Sequence, residues 1–221
     1  MIKAIVFDFD GLILDTETPE FESFQAMYIE HGAELSLDLW GKCVGTDGSA
    51  FEPYAHLEGC LGRSLDREQL RLKRRADYDA KMIGQISRPG VTDYLQRAKE
   101  LGLKIGLASS SSRQWVGGYL EQHGLLDYFA CIRTREDVAR VKPDPALYVS
   151  ALQALGVRPD EAIAFEDSPN GALAAKTAGM FCVIVPNPVT SLLTFGDTDL
   201  RIDSMGDMAL EDVLKSLSGQ P

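Results

Sequence analysis

Five short runs rich in apolar residues punctuate the chain: Ala4–Phe7, Lys104–Ala108, Phe129–Ile132, Ala162–Phe165 and Phe181–Val185. None shows the apolar–polar alternation of a half-exposed strand, so each reads as a strand covered on both faces, as in a parallel sheet. Between them lie helical stretches with clear start and stop signals. Ser168-Pro169 and Asp144-Pro145 each place a capping residue before a proline suited to the first helical turn. Gly102, Gly124, Gly156 and Gly179 each follow a helical stretch, where a glycine closes the helix. From residue 88 onward strands and helices alternate, which predicts a doubly wound parallel sheet of the α/β class.

Residues 16–86 interrupt that rhythm. They follow the first strand directly and hold no convincing strand run. Phe21, Phe24 and Tyr28 share one helical face, and Leu70, Tyr78 and Met82 recur at multiples of four. The expected organisation is a core built from residues 1–15 and 87–221, with a helical insertion at 16–86. The chain would return to the core through Ser87-Arg88-Pro89-Gly90, where proline and glycine punctuate.

Charge narrows the function classes. The 221 residues carry 22 Lys plus Arg against 33 Asp plus Glu, a formal net charge of −11. That balance excludes a general nucleic-acid binder, which needs a basic surface, and docking on anionic membranes. No stretch approaches the roughly 18–20 apolar residues of a membrane helix, and the apolar run before Asp8 is too short for a signal-peptide core. Cys43, Cys60, Cys131 and Cys182 form no C-x-x-C pair and read as free thiols of a cytoplasmic protein. His31, His56 and His123 lack the spacing of zinc ligands. A monomer or weak dimer acting on a small molecule is expected. If that molecule is an anion, something local must reverse the field.

Candidate chemistry gathers after the expected strands. In Asp8-Phe9-Asp10-Gly11, residues 8 and 10 of an extended segment project to one side, at the carboxyl end of a strand, where open α/β sheets bind ligands. Paired carboxylates call for a cation or a raised pKa, although an acidic turn relieved by Gly11 is the plainer reading of this motif alone. Ser109-Ser110-Ser111-Ser112 precedes a helix expected from about Arg113, which suits either a phosphate site or a simple cap. Lys142 stands before the proline-primed helix at Asp144-Pro145, and Glu166-Asp167-Ser168 follows the fourth run. Taken singly, each of these could be a solvated lysine or a cap. Together, acids for Mg²⁺, hydroxyls and a lysine for phosphate oxygens are the parts that phosphoryl transfer uses.

With these motifs in order, the sequence resembles the haloacid-dehalogenase superfamily, and within it the β-phosphoglucomutase-like phosphatase branch. Asp8-Phe9-Asp10-Gly11-Leu12-Ile13-Leu14-Asp15-Thr16 is similar to that branch's first motif, D-x-D-G-x-x-x-D-[ST]. Ser109, Lys142 and Glu166-Asp167-Ser168-Pro169-Asn170-Gly171 match the second, third and fourth. The resemblance spans essentially the whole chain and implies a Rossmann-like core with an inserted helical cap. It implies Asp8 as a nucleophile forming an aspartyl-phosphate, and Asp10 as general acid and then base, its backbone carbonyl on the metal. It implies Asp8, Asp10, Glu166 and Asp167 around Mg²⁺, with Ser109 and Lys142 on the phosphoryl group. Gly11, Thr16 and Ser110 would lie on the phosphate or substrate.

The insertion would then select the substrate. Sugar-phosphate mutases of this branch carry a histidine where this chain has Glu20, and a Lys-Gly-x-x-Arg clamp where it has Val44-Gly45-Thr46-Asp47-Gly48. Both cations of the clamp are missing, which favours a phosphatase of a sugar or polyol phosphate over a mutase. A phosphorylatable switch domain and a dehalogenase are the further alternatives. Six basic residues against two acids crowd Arg63–Arg75, with Arg67, Arg71 and Arg75 in one helical stripe. The stripe reads either as a solvated face or as a lure for anions, with Arg75 reaching the mouth of the site.

Overall fold

The computed structural model describes residues 1–42, 44 and 51–218. Six parallel strands form one sheet: β1 (Ala4–Phe7), β2 (Lys104–Ala108), β3 (Cys131–Arg133), β4 (Ala162–Glu166), β5 (Phe181–Ile184) and β6 (Leu200–Arg201), in the order β3-β2-β1-β4-β5-β6. Strand order reverses between β1 and β4, which opens a crevice at their carboxyl ends. Their register pairs Phe7 with Phe165, so Asp8 and Glu166 emerge side by side.

Alternate residues of the central strands feed opposite faces of the sheet. Ile5, Phe7, Ile163 and Phe165 join one core with α5 (Val91–Glu100), α6 (Arg113–Gln122) and α9 (Leu210–Ser218). Ala4, Val6, Ala162 and Ala164 join the other with α7 (Ala146–Leu155) and α8 (Pro169–Thr177). Every strand residue from Ala4 to Phe7 and from Ala162 to Glu166 is buried, as the unbroken apolar runs require.

Between β1 and α5 the described elements are all helical: α1 (Glu17–Glu30), α2 (Leu37–Trp40), α3 (Pro53–Leu61) and α4 (Arg67–Met82). They gather a separate apolar cluster around Phe24, Tyr28, Trp40, Tyr54 and Leu57. At the return crossing the Arg88 guanidinium donates to the carbonyls of Gly11, Val185 and Pro186 at 2.6, 3.0 and 2.7 Å. Arg88 thus braces the segment through which the chain was expected to return to the core.

The expected helix signals hold with one shift. Ser168 caps α8, its hydroxyl accepting from the Gly171 amide at 3.1 Å. At α7 the cap is Pro145, while Asp144 accepts from the Ala146 amide one residue inside. The third strand begins two residues later than its apolar run, because a tight turn at Leu126–Tyr128 leaves Phe129 to pack its ring edge-on against Phe7. Strand β6 has only two residues and no apolar run to announce it, one of them the exposed Arg201. No described helix is long and apolar enough to cross a membrane.

Candidate active site

Asp8 leaves β1 and is anchored by its own backbone, whose N–H donates to the Phe165 carbonyl of β4 at 3.0 Å. Glu166 ends β4 and Asp167 follows it. One oxygen from each of Asp8, Glu166 and Asp167 lies within 4.8 Å of the others, and all three side chains are buried. The Asp10 carboxylate is not in that group.

Lys142 reaches this cluster from the loop before α7, with only 2% of its surface exposed. Its ammonium bonds the Asp8 carboxylate and, at 2.6 Å, Glu166 Oε1. Three buried carboxylates around one lysine leave excess negative charge. Burial pushes the Asp8 carboxyl up to about 8, with Glu166 and Asp10 adding to the shift and Lys142 opposing it. Burial, then Asp8 and Glu166, hold Asp167 well above the usual carboxylate range. Burial also disfavours the Lys142 charge, but the two acids outweigh it and raise the ammonium above its ordinary value.

A group of hard oxygen donors with surplus negative charge fits Mg²⁺. Both oxygens of Glu166, however, are already engaged. Oε1 accepts from Lys142 at 2.6 Å and Tyr148 at 2.5 Å, and Oε2 from the Asp167 amide at 3.2 Å and the Ser168 hydroxyl at 3.3 Å. Asp167 Oδ2 accepts from Asn187 at 2.7 Å. Among the described residues, no donor reaches Asp8 Oδ2 or Asp167 Oδ1, whereas Glu166, expected beside them on the metal, also holds Lys142.

Asp10 stands outside this group of three acids and is held by other donors. Its Oδ1 accepts from Thr16 at 3.0 Å and from the Trp115 indole at 2.9 Å, its Oδ2 from Ser111 at 2.5 Å and Ser109 at 3.5 Å. Gly11 turns the chain with φ +79°, and a Cβ there would stand 2.2 Å from Asp167 Oδ2, so no other residue fits. Gly11 and Thr16, expected on the phosphate, bond one another inside this loop, and Thr16 also lines a cavity. The Gly11 N–H donates to the Leu14 carbonyl and Thr16 Oγ1, and the Thr16 hydroxyl goes to Asp10.

Two cavities meet at Asp10. One, of about 310 Å³, is lined by Asp8, Glu17, Glu20, Phe24, Trp40 and the serines 109–111. The other, of about 380 Å³, takes in Thr16, Arg75, Tyr78, Trp115 and Arg135. Glu20 therefore lies at the substrate side, where its carboxylate pairs with Arg74 at 2.9 Å. Arg74, rather than a member of the expected stripe, is the half-buried guanidinium of this run, and it also bonds Ser23 and Tyr54. Arg75 does reach the mouth of the site, half-exposed and paired with Asp79 at 2.8 Å. Arg67 is tied to Glu58. Of the segment 44–48, Val44 is described, its carbonyl accepting from Asn170 at 2.8 Å, while Gly45, Thr46, Asp47 and Gly48 lie outside the described residues.

Several residues of the site had no signal in the sequence. Tyr148 and Trp115 sit at helix positions that read as packing, Asn187 and Arg88 in loops without a motif. Glu17 lines both cavities, and burial together with Asp10 and Glu20 raises its carboxyl well above the ordinary range.

A model of the haloacid dehalogenase-like hydrolase family matches residues 5–185. The chain belongs to this family. The hydrolase is 53% identical over 220 residues to the Bacillus subtilis protein YhcW, named as a phosphatase, with 100% of each chain covered. It is 32% identical to the validoxylamine A 7'-phosphate phosphatase of Streptomyces hygroscopicus, covering 83% of this chain and 85% of that one. Among solved structures it is similar to a variant of CbbY from Rhodobacter sphaeroides in complex with xylulose-(1,5)bisphosphate, with a TM-score of 0.72, 28% identity, and 95% and 97% of the two chains covered. The hydrolase is accordingly an enzyme of the phosphatase kind.

Gly171 gives the site a direct test. A Cβ there would stand 2.0 Å from the Glu166 carboxylate. Gly171→Ala is expected to cost about 1–3 kcal/mol by overpacking and to lower turnover by displacing Glu166 and Lys142. Gly117→Ala on α6, where a Cβ meets nothing within 4 Å, should be neutral or stabilising. Thermal melting and kcat of the pair check this, and equal melting of the two variants would refute it.

Proposed function

We infer that this hydrolase is a Mg²⁺-dependent phosphatase of a small phosphate monoester, of a sugar or polyol, working through an aspartyl-phosphate on Asp8. The observation that carries the reading is the buried Asp8–Lys142–Glu166 cluster at the switch point, with Asp10 two residues on and facing the cavities. The names of the relatives, one a phosphatase of a sugar-like phosphate and one bound to a sugar bisphosphate, support the substrate class.

In this reading Asp8 attacks phosphorus through one carboxylate oxygen, the ester P–O bond breaks, and Asp10 gives its proton to the departing alkoxide oxygen. Asp10 then takes a proton from water, whose oxygen attacks the aspartyl-phosphate and releases inorganic phosphate and Asp8. Lys142 offsets the charge of Asp8 and the phosphoryl group, and Ser109 and Ser110 hold phosphoryl oxygens. Asp8, Asp167 and the Asp10 carbonyl would hold Mg²⁺, which when bound offsets phosphoryl charge. Residues 16–86 act as a cap over the core of 1–15 and 87–221, admitting substrate and shutting out bulk water. The three described cysteines are free thiols, which suits a reducing, cytoplasmic compartment.

A panel of phosphorylated metabolites assayed for phosphate release, with Mg²⁺ and with EDTA, tests this. Chelation is expected to lower turnover by about a hundredfold or more, reversibly. Interconversion of hexose 1- and 6-phosphates without net phosphate release would make the enzyme a mutase instead, against the charge of Glu20. Stable phosphoaspartate with no turnover of any ester would make it a switch.

A further inference from the structure

Asp10 accepts four hydrogen bonds, and their origins differ. Ser109 and Ser111 come from the loop after β2, and Thr16 from the start of the insertion. The fourth comes from the indole of Trp115, in the first turn of α6 on the core. The Trp115 ring also meets α4. On its core side the ring meets Tyr119 edge-on at 4.6 Å. On its other side it meets two residues of α4. The Tyr78 ring lies 6.1 Å away, and the Arg75 guanidinium stands 5.4 Å from the indole centroid. Arg75 also lies over the Tyr78 ring at 5.1 Å, so the two α4 side chains form one wall.

An indole carries one N–H donor on a rigid ring, so whatever packs against the ring aims the donor. A carboxylate held by four donors keeps the aim they give it, and the loss of one lets it turn. The donor whose orientation depends on α4 is Trp115. We propose that Trp115 is a positioning residue that couples the seating of α4 on the core to the orientation of the Asp10 carboxylate. Motion of α4 removes one wall of the indole, lets the ring tilt and loosens its hold on Asp10, and reseating restores it. The inference rests on the reading of Asp10 as acid and base.

Trp115→Phe keeps the ring and loses the N–H. It is expected to lower kcat by about tenfold through misplacement of Asp10, with KM and melting temperature held. Tyr78→Leu, and Arg75→Met as a surface variant that leaves the fold intact, remove the α4 wall. Each should lower kcat, and each should shift the Trp115 indole N–H resonance, assigned among the two tryptophans by Trp40→Phe. Adding Trp115→Phe to either should cost little more, because all act through one bond. Multiplicative losses in the double variants, or a Trp115→Phe loss that appears in KM and melting together, would overturn the coupling. So would an unchanged kcat in Trp115→Phe where Asp10→Asn is inactive. Full turnover by Asp10→Asn would sink the acid–base reading itself. The coupling would then stand or fall on the resonance: a shift in both Asp10→Asn and Tyr78→Leu upholds it, and no shift in either refutes it.

Discussion

Asp8→Asn is expected to abolish phosphate release, with kcat lower by about 10⁴-fold or more, because no other group replaces a lost nucleophile. The variant should nonetheless fold well, since a carboxamide keeps the shape of the carboxyl group and, like its protonated form, carries no charge. A second measurement separates it from the wild type. The folded Asp8 carboxyl keeps its proton up to about 8, against 3.8 for the ordinary group. Between those values the folded state binds more protons than the unfolded one, so raising the pH favours unfolding. Metal-free wild type should therefore lose stability from about pH 4 to about pH 8, and Asp8→Asn should flatten that slope. Denaturant titration in EDTA across the range measures it. Wild-type turnover by the variant would refute the nucleophile, and equal slopes would refute the electrostatic picture of the cluster.

Lys142→Met should have an effect of similar size by a different route. The methionine fills the volume but removes the one cation that both buried acids of the cluster contact. Removing one partner of a buried ion pair costs about 3–5 kcal/mol, so the variant should be both inactive and much less stable at neutral pH. The penalty should shrink at acid pH, where the Asp8 carboxyl is protonated in the folded and unfolded chain alike. Lys142→Arg is not expected to rescue either property, because a guanidinium fork does not fit the space of a fully buried ammonium. Denaturation curves at acid and neutral pH, with turnover, check both variants. A Lys142→Met protein as stable as wild type at neutral pH would show that the cluster carries no such charge.

Legibility in the sequence followed a physical divide. Asp8, Ser109, Glu166 and Asp167 stand directly after buried strands, and a doubly wound sheet leaves little choice about where strand ends meet. Lys142 was readable from its place before a primed helix, although how deeply it is buried was not. Tyr148 looks like any core residue of α7 until β4 is laid beside it and its hydroxyl meets Glu166. Trp115 reads as packing on α6, and nothing nearby in the chain shows that its indole faces Asp10. In the basic run, helical periodicity picked Arg67, Arg71 and Arg75. The half-buried Arg74 was chosen by the neighbouring helix, through Ser23 and Glu20 of α1. Partners far apart in sequence, and side chains that bridge helices, are what a one-dimensional pattern leaves out. Strand β6 went unread for a simpler reason: two residues at a sheet edge make no pattern. Helix α9 did carry one, Leu210, Val213 and Leu217 on a single face.

The Arg88 brace has a consequence for how the enzyme comes into being. Two of its three carbonyl partners, at Val185 and Pro186, belong to the stretch just past β5, and Asn187, which steadies Asp167, is the next residue. A chain still emerging in synthesis can align β1, β2 and β4 and bring Asp8 beside Glu166. It has neither the carbonyls that fix Arg88 nor the amide that orients Asp167 until residue 187 is in place. The contacts that brace Arg88 and orient Asp167 are thus completed only by the stretch after β5, late in the order of synthesis.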